Sequence, residues 1–572
     1  MKKRRAAPVF KEYTMGQIVL LPTNIEELIP ADHLVRVVNQ FIEQMDLKVL
    51  LSRYKGGGTS SYHPKMMLKV FVYAYSQKIY SSRRIAKGLR ESIPLMWLSG
   101  LNQPDYRTIN RFRGVLLKGI IEEVFLAILK LLIAEGYVKL EDYYVDGTKV
   151  EGNANRYTAV WAKNTQRYEK QLGEKVGELM AEIEQINQEE DARYGDKDLE
   201  EMGGNGSVDP QKLVEGVERL NQRLAGLAEE AVPVEERPAI REEPPSKAED
   251  QPQLAAQIEA KLAEVQEAVA AHPENNRLRK AARTLAENYL VRARKYAQQR
   301  QKLAGRNSYS KTDRDATFMR MKEDHQPNSQ PKAAYNVHNG TENQFVVWFS
   351  VHQEAGDSPC FIPHLEKLKE GLGCLPQNTN ADAAYGSEEN YAYLEQEQVG
   401  NYLKYRGFDR QQKLRYRPDP FQAENMPYVA EQDTFTCPAG KLLRYHYTDH
   451  QRSKTGYPIE RRVYECVDCG DCALKEKCTR AAGHRRISVS FRLWQYRAQA
   501  RQNLLSPKGQ RLRKQRGVDV ETVFGRIKED WGFRRFMLRG LEKVTIEWGL
   551  LCLAHNLAKV WKVDNEKNLA VV

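Results

Sequence analysis

Segments with the residue pattern of β-strands lie far apart in this chain. They are 139–150, the pair 334–338 and 345–351 with a turn at 339–342, and a short segment that leads into Asp382. Residues 165–305 are instead rich in Glu, Gln, Ala, Lys and Leu at helical spacing. These strands can form one sheet only if the fold brings distant segments together. The sequence therefore predicts an α/β fold, with a mixed sheet and flanking helices, interrupted by a helical insertion.

The charge of the chain is unevenly distributed. The formal net charge is +12, although the helical insertion is rich in acidic residues, so the rest of the chain is more strongly basic. Such a surface is typical of proteins that bind a polyanion, and DNA or RNA is the polyanion we expect. A basic protein without such a partner is the alternative. No long uninterrupted apolar segment is present, so we expect a cytoplasmic protein without a membrane partner.

The N-terminal region, residues 1–136, has the apolar spacing of short helices. Basic side chains recur there beside aromatic ones, as in helical DNA-binding modules. A basic helix that faces only solvent has the same pattern. The candidate DNA contacts in this region are Arg83, Arg84, Arg111 and Arg113.

Three acidic residues lie in segments suited to phosphoryl-transfer chemistry. Asp146 follows the strand-like residues 140–145, Asp382 follows a short apolar segment, and Glu521 lies in a helix predicted at 517–527. Three carboxylates can hold two magnesium ions for attack on a phosphodiester. Lys528 follows Glu521 by two α-helical turns, which predicts that both lie on one helix face. Taken singly, each acid is better explained as an N-cap, turn or surface residue, and the three gain force only in combination.

Five of the eight cysteines lie between positions 437 and 478. They are Cys437, Cys466, Cys469, Cys472 and Cys478. Their spacing suits a tetrahedral zinc site, which needs four ligands. The set we favour is Cys437, either Cys466 or Cys469, Cys472 and Cys478. An iron–sulfur cluster and free thiols are the alternatives.

Several motifs together resemble those of bacterial insertion-sequence DDE transposases. The resemblance is to the insertion sequence 1182 group, within the large insertion sequence 4/5-like branch. The matching segments are residues 62–64, 81–85, 104–113, 145–149, 310–313, 381–391 and 520–528. They leave out the acidic insertion but cover most of the remaining chain.

The resemblance implies an RNase H-like catalytic core. It makes Asp146, Asp382 and Glu521 the ligands of two magnesium ions, with manganese as a substitute, and Lys528 a contact to the DNA end. The broader branch also has an arginine four residues before its glutamate. Gly517 occupies that position here and Arg516 comes one residue earlier, so Arg516 is a candidate phosphate contact.

The function implied is that of a DDE transposase. Such an enzyme binds the terminal inverted repeats of its element, cuts the DNA and joins the released 3′-hydroxyl to target DNA. We expect a homodimer or a higher assembly, because two ends must be joined. The alternatives are a catalytically silent DNA-binding protein or repressor derived from such an enzyme, and a metal-dependent nuclease.

The sequence also predicts where the parts of the chain begin and end. The predicted parts are an N-terminal helical DNA-binding domain at 1–136, the first part of the core at 137–164, the helical insertion at 165–305, the second part of the core at 306–420, a cysteine-rich zinc module at 421–485, and C-terminal catalytic helices at 486–572.

Overall fold

The computed structural model describes residues 24–46, 48–54, 61–194, 254–321, 330–481 and 483–571. The chain divides into two compact units, one made of Met1–Trp161 with Gly305–Val572 and the other of Ala162–Ala304. The Pro- and Glu-rich part of the predicted insertion, residues 232–252, lies outside the described residues. In the part of the chain that is described, no helix combines the length and apolar character needed to cross a membrane.

The first unit begins with short helices. They are α1 (Leu34–Gln44), α2 (Lys48–Leu51), α3 (Pro64–Ser76), α4 (Ser82–Glu91), α5 (Ile93–Leu98), α6 (Tyr106–Arg111) and α7 (Ile121–Ala134). A π-helical turn, Phe112–Leu116, follows α6. In α4, Ile85 and Leu89 are four residues apart and both fully buried, because that spacing places them on one helix face. The arginines of α4 lie on the exposed side.

The second unit is helical. It consists of α8 (Ala162–Tyr194), α9 (Leu254–Ala271), α10 (Asn276–Thr284), a π-helical turn at Leu285–Tyr289 and α11 (Leu290–Leu303). Leu172, Ile258, Leu278 and Leu285 are fully buried in a hydrophobic cluster of its own. The sequence placed the insertion at 165–305, and the unit spans Ala162–Ala304.

A mixed sheet forms the centre of the first unit. Its strands are β1 (Asp142–Glu151), β4 (Thr317–Met319), β5 (Lys332–Glu342), β6 (Phe345–His352), β7 (Asn378–Ala381) and β8 (Gly400–Leu403), while β2 (Ala159–Trp161) and β3 (Ser308–Ser310) pair separately. β5 lies antiparallel to β1, to β4 and to β6. On the other side of β1, β7 and β8 are parallel to it. The predicted mixed sheet is therefore confirmed.

The turn between β5 and β6 lies later than predicted. The prediction placed it at 339–342, but these residues belong to β5, and the turn is made by Asn343 and Gln344, with φ of 53° and 66°. Gly340 had suggested a turn. Its role is to leave room, because a Cβ atom there would lie 1.7 Å from the hydroxyl oxygen of Tyr143. The glycine is required by packing between strands.

A second sheet follows the central one in the chain. Before it come α12 (Phe361–Leu372), α13 (Glu388–Gln396) and α14 (Phe408–Gln411). Its strands are β9 (Tyr428–Val429), β10 (Thr434–Thr436), β11 (Leu442–Arg452), β12 (Pro458–Cys466) and β13 (Arg486–Val489), in the order β13-β12-β11-β10-β9. Helix α15 (Lys475–Cys478) lies in the connection from β12 to β13. Phe435, Leu443 and Tyr464 are fully buried in the core of this sheet.

The chain ends in helices that complete the first unit. They are α16 (Phe491–Leu505), α17 (Pro507–Arg516), α18 (Thr522–Gly525) and α19 (Leu541–Val571), with π-helical turns at Gly517–Glu521 and Arg526–Asp530. Helix α19 packs against β6 and against α1, α3 and α7. The N-terminal helices and the central sheet, on either side of the boundary predicted at residue 136, share one hydrophobic core.

Candidate functional site

Two of the predicted acids lie side by side on neighbouring strands. β1 and β7 are parallel, and Val145 is paired with Ala381, the last residue of β7. Asp146 and Asp382 each come one residue later, so they lie at the same level. The sequence placed Asp146 at the end of its strand, but β1 continues to Glu151 because it stays paired with β5. In contrast, β7 ends at Ala381, which is paired with Val145.

Each of these carboxylates is held by a backbone amide and faces the same cation. The amide of Gly147 donates to Asp146 Oδ1, and the amide of Ala384 donates to Asp382 Oδ1, both at 2.8 Å. The Oδ2 atoms lie 3.4 Å (Asp146) and 3.8 Å (Asp382) from Nη2 of Arg516. Mg²⁺ prefers carboxylate oxygens as ligands. Because the two Oδ2 atoms converge on one cationic group, these residues fit a magnesium site.

The third acid comes from the helix that carries Arg516. Arg516 ends α17, and the π-helical turn Gly517–Glu521 follows it. A π-helix bonds residues five apart, so Arg516 and Glu521 are separated by one turn. Side chains in helices lean toward the N-terminus. Accordingly, a Cβ atom at Gly517 would lie 3.9 Å from Oε1 of Glu521.

This π-helical turn accounts for an irregular spacing in the sequence. The family resemblance places an arginine four residues before the glutamate, and in this chain the arginine is five residues before it. In an α-helix the extra residue would rotate Arg516 away from the face of Glu521. The wider π-helical turn accommodates that residue and keeps both side chains on one face.

The buried Asp519 anchors the same turn to the sheet. Its Oδ1 accepts the amide of Gln344, 2.9 Å away, and the side-chain amide of Gln344 donates to the carbonyl of Val518 at 3.3 Å. Asp519 is completely buried, and this burial raises the pKa of its carboxyl group. These bonds fix the turn that carries Arg516 and Glu521 against the β5–β6 hairpin.

The three predicted acids are not equally close to one another. Glu521 is exposed, whereas Asp146 is buried. Among the described residues, His352, Glu354 and Cys360 form a group whose possible metal-ligand atoms all lie within 4.8 Å of one another. The three predicted acids do not form such a group. The structure thus brings Asp146 and Asp382 together, and places Glu521 one turn from the arginine that contacts both.

The His352 group has limited capacity to hold a metal ion. Burial lowers the pKa of His352 to about 4, so its imidazole is neutral and able to act as a ligand. Burial raises the pKa of the Cys360 thiol, and its Sγ donates to the carbonyl of Gly356. The thiolate is the metal-binding form, and the thiol that makes this hydrogen bond carries its proton.

A buried polar network lies next to Asp146. The hydroxyl of Tyr385 is 2.8 Å from Nδ1 of His338, and Nε2 of His338 is 3.6 Å from Asp357. The pKa of Tyr385 is raised well above its ordinary value by burial, and further by the nearby carboxylates, Asp146 among them. A Cβ atom at Gly147 would lie 3.0 Å from both Asp357 and His338. This contact explains why a glycine follows Asp146.

Lys528 is less accessible than its predicted role requires. The sequence placed it on the same face as Glu521, but Lys528 is only 6% exposed while Glu521 is exposed. Lys528 lies in the second π-helical turn, Arg526–Asp530, and π-helical turns change the rotation per residue. Seven residues here do not correspond to two α-helical turns, which is why the face predicted for Lys528 differs.

Family comparison identifies two regions of the chain. Residues 436–561 match a transposase DDE domain. Residues 23–114 match a second family model, the transposase domain DUF772. The first region contains Glu521 and the second contains α1 to α6, whereas Asp146 and Asp382 lie outside both. No curated protein and no solved structure matches the chain.

The DUF772 region presents a basic helical surface. Arg83 and Arg84 of α4 and Arg111 of α6 are exposed. The guanidinium group of Arg83 lies 5.0 Å from the ring centre of Tyr106 at the start of α6. This contact ties α4 to α6, so the cations of both helices lie close together.

Arg113, the remaining candidate DNA contact of this region, is buried. It is 4% exposed, and its Nη1 lies 2.9 Å from the hydroxyl of Tyr75 and 2.8 Å from the carbonyl of Tyr80. The same nitrogen is 3.5 Å from Oε1 of Glu547 in α19, which is completely buried. Arg113 therefore forms an internal ion pair and, unlike the other three arginines, is not exposed for the predicted contact with DNA.

The region that matches the transposase DDE domain contains β11 to β13 of the second sheet and the five cysteines that the sequence singled out. All five line one cavity beside that sheet. The cysteines belong to the turn after β10, the end of β12 and the connection to β13.

Sequence reasoning missed a groove lined by arginines. Its cations are Arg406, Arg410, Arg485, Arg486 and Arg497. One carboxylate, Glu424, lies in the groove and pairs with Arg497. The adjacent pair 485–486 was a visible signal in the sequence. The groove itself was not, because residues near 406, 424 and 490 meet only in the fold.

Proposed function

We propose that this protein is a DNA transposase that cuts the ends of its own element and joins them to target DNA. One observation carries the proposal: the Oδ2 atoms of Asp146 and Asp382 converge on Arg516, in a chain with two transposase domains. A paired carboxylate site in a basic protein suits metal-assisted phosphoryl transfer on DNA.

The strand order supports an RNase H-like catalytic core. β6, β5 and β1 form an antiparallel meander, and β7 and β8 continue the sheet parallel to β1. In this proposal the acids come from β1, from the residue after β7 and from the helix after the second sheet. The second unit and the second sheet are then insertions between catalytic segments.

Each residue of the site has a defined role in the proposal. Asp146, Asp382 and Glu521 hold two magnesium ions, or manganese in their place. When bound, these ions supply an activated water or 3′-hydroxyl and stabilise the leaving oxygen. The amides of Gly147 and Ala384 orient the carboxylates so that both Oδ2 atoms point to the shared position. Arg516 neutralises the acids and is placed to contact the phosphate under attack.

The DNA-binding role falls to the exposed cations. Arg83, Arg84 and Arg111 contact phosphates of the double-stranded terminal inverted repeats, with α4 and α6 presented to the DNA. Lys528 reaches a DNA end only if its helix moves, because its side chain is buried. The proposal places the protein in the cytoplasm with its DNA. It acts as a homodimer or a higher assembly that holds two ends.

End cleavage with purified protein tests the proposal. The intact protein and Asp146→Asn are incubated with magnesium and a DNA duplex that carries the element's end. We expect a loss of roughly 100-fold or more in cleavage for Asp146→Asn. Asp142→Asn is the matched control, because Asp142 lies in the same strand but pairs with Arg511 and Asn378 instead.

The products distinguish the proposal from its alternatives. Joining of the element's 3′ ends to a second duplex supports a transposase. Binding to the ends without any cutting, in magnesium or manganese, would point to a silent DNA-binding protein. Cutting without joining, at sites unrelated to the element's ends, would point to a nuclease.

A further inference from the structure

The five clustered cysteines line one cavity. The cavity lies between the turn after β10 and the connection from β12 to β13, and its volume is about 20 Å³. One water-sized sphere needs about 10–15 Å³, so the cavity has room for an ion.

Four of the cysteines that line the cavity are Cys437, Cys469, Cys472 and Cys478. They come from the turn after β10, the loop after β12 and helix α15. No three of these described sulfurs lie within 4.8 Å of one another, so an ion bound between them would draw the three segments closer together. Four thiolates from separate segments are the ligand set of a structural zinc site.

The fifth, Cys466, has the position of a core residue. It is 1% exposed and ends β12, two residues after the fully buried Tyr464. Alternation along a strand places these two side chains on the same face. Cys466 is paired with Leu443 and belongs to the hydrophobic cluster of the second sheet. Its side chain therefore packs in the core of this sheet.

The surroundings of the cavity suit a negatively charged thiolate cluster. The backbone amide of Lys441 donates to Sγ of Cys437 at 3.3 Å, and the amide of Arg485 donates to Sγ of Cys469 at 3.5 Å. Such donors orient metal-bound ligands from outside the coordination shell. Lys441, Lys475 and Arg485 also line the cavity. A divalent ion with four thiolates carries a charge of −2, which these cations offset.

We propose that Cys437, Cys469, Cys472 and Cys478 bind one structural zinc ion, and that Cys466 is not a ligand. The ion ties the turn after β10 to the β12–β13 connection. It also fixes Arg485, whose side chain lines both this cavity and the arginine groove. The zinc site thereby holds part of the groove in place.

Metal content of the full-length protein tests the proposal. We expect one zinc ion per chain by elemental analysis of protein purified under reducing conditions. Replacement by Co²⁺ should give the intense visible absorption of a tetrahedral thiolate site. Protein that binds neither ion when each is supplied, or that carries iron with the broad absorption of a cluster, would overturn the proposal. No DNA is involved, so this result is independent of the proposed transposase activity.

Single substitutions test the choice of ligands. Serine at position 437, 469, 472 or 478 should weaken Co²⁺ binding at least tenfold. Cys466→Ser should keep the metal, as should Cys374→Ser, a control at an exposed cysteine outside the cavity. Loss of metal in Cys466→Ser with retention in one of the four would refute the assignment.

A second measurement needs no substitution, so it is independent of variants that fail to fold. Alkylation of the intact protein, mapped by mass spectrometry, should show that a chelator increases the reactivity of the four proposed ligands. The reactivity of Cys374 should stay constant. If the chelator leaves the four unchanged, the proposal is refuted.

Discussion

Replacing Arg113 by methionine should destabilise the protein and leave its direct contacts with DNA intact. Arg113 and Glu547 form a buried ion pair, with Nη1 3.5 Å from Oε1. Methionine fills much of the same volume but carries no charge. Removing one partner of a buried pair leaves the other charge uncompensated, at a cost of about 3–5 kcal/mol.

The size of the unit converts this cost into a melting temperature. The unit that contains the pair has about 430 residues, and at about 2.1 cal/mol/K per residue its unfolding entropy is about 0.9 kcal/mol/K. Dividing the free-energy cost of about 3–5 kcal/mol by this unfolding entropy gives a decrease in Tm of about 3–6 °C.

The loss of stability in Arg113→Met should depend on pH. Burial raises the pKa of Glu547, and Arg113 is the cation that counteracts this rise. A carboxyl group with a raised folded pKa costs stability as the pH rises from its unfolded value, 4.5, through its folded pKa. Without Arg113 the folded pKa rises further. The variant should therefore lose little below pH 4.5, where Glu547 is protonated in both states, and the full amount at neutral pH.

Thermal unfolding and DNA binding together check this reasoning. Tm is measured between pH 4 and pH 8, and affinity for an end duplex is measured by fluorescence anisotropy at fixed salt. Arg83→Ala serves as the comparison, since it should weaken DNA binding without changing Tm. Adding Glu547→Gln to Arg113→Met should recover part of the lost stability. An unchanged Tm for Arg113→Met, with affinity reduced as in Arg83→Ala, would refute the buried-pair interpretation.

Three further outcomes follow from the structure. Gly340→Ala should destabilise the protein by about 1–3 kcal/mol or more in urea unfolding, because its Cβ would meet Tyr143; an unchanged unfolding midpoint would contradict this. Asp519→Asn should gain stability relative to the native protein as pH rises above 3.8, because the native carboxyl has a raised pKa; parallel stability curves would argue against it. Replacing Arg406 and Arg410 by alanine should lower the salt dependence of DNA binding by about one ion per residue, with Tm unchanged, if the groove contacts phosphates.

Local signals in the sequence predicted much of the central sheet. Alternation and β-branched residues located β1 and the β5–β6 hairpin, because a strand's side-chain period is visible in a few residues. The proximity of Asp146 and Asp382 follows from the parallel pairing of β1 with β7, which no local pattern shows.

The predictions that differ from the structure concern residues whose surroundings are set by packing between distant parts of the chain. Gly340 was interpreted as a turn residue because the crossing of Tyr143 is invisible in the sequence. Arg113 was interpreted as a surface cation because its partner, Glu547, is 434 residues away. Lys528 was placed by α-helical geometry, and the π-helical turns that move it depend on how the helix packs.

The pairing of β2 with β3 has a consequence for how this chain tolerates change in length. Trp161 is paired with Ser308, so the chain departs from the first unit and returns to it at adjacent positions. The pairing of β2 with β3 fixes both ends of the segment between Trp161 and Ser308. The entropic cost of closing such a segment grows only slowly with its length. The intervening segment can therefore gain, lose or exchange residues over evolutionary time at little cost to the rest of the fold. This position is a natural point of domain insertion.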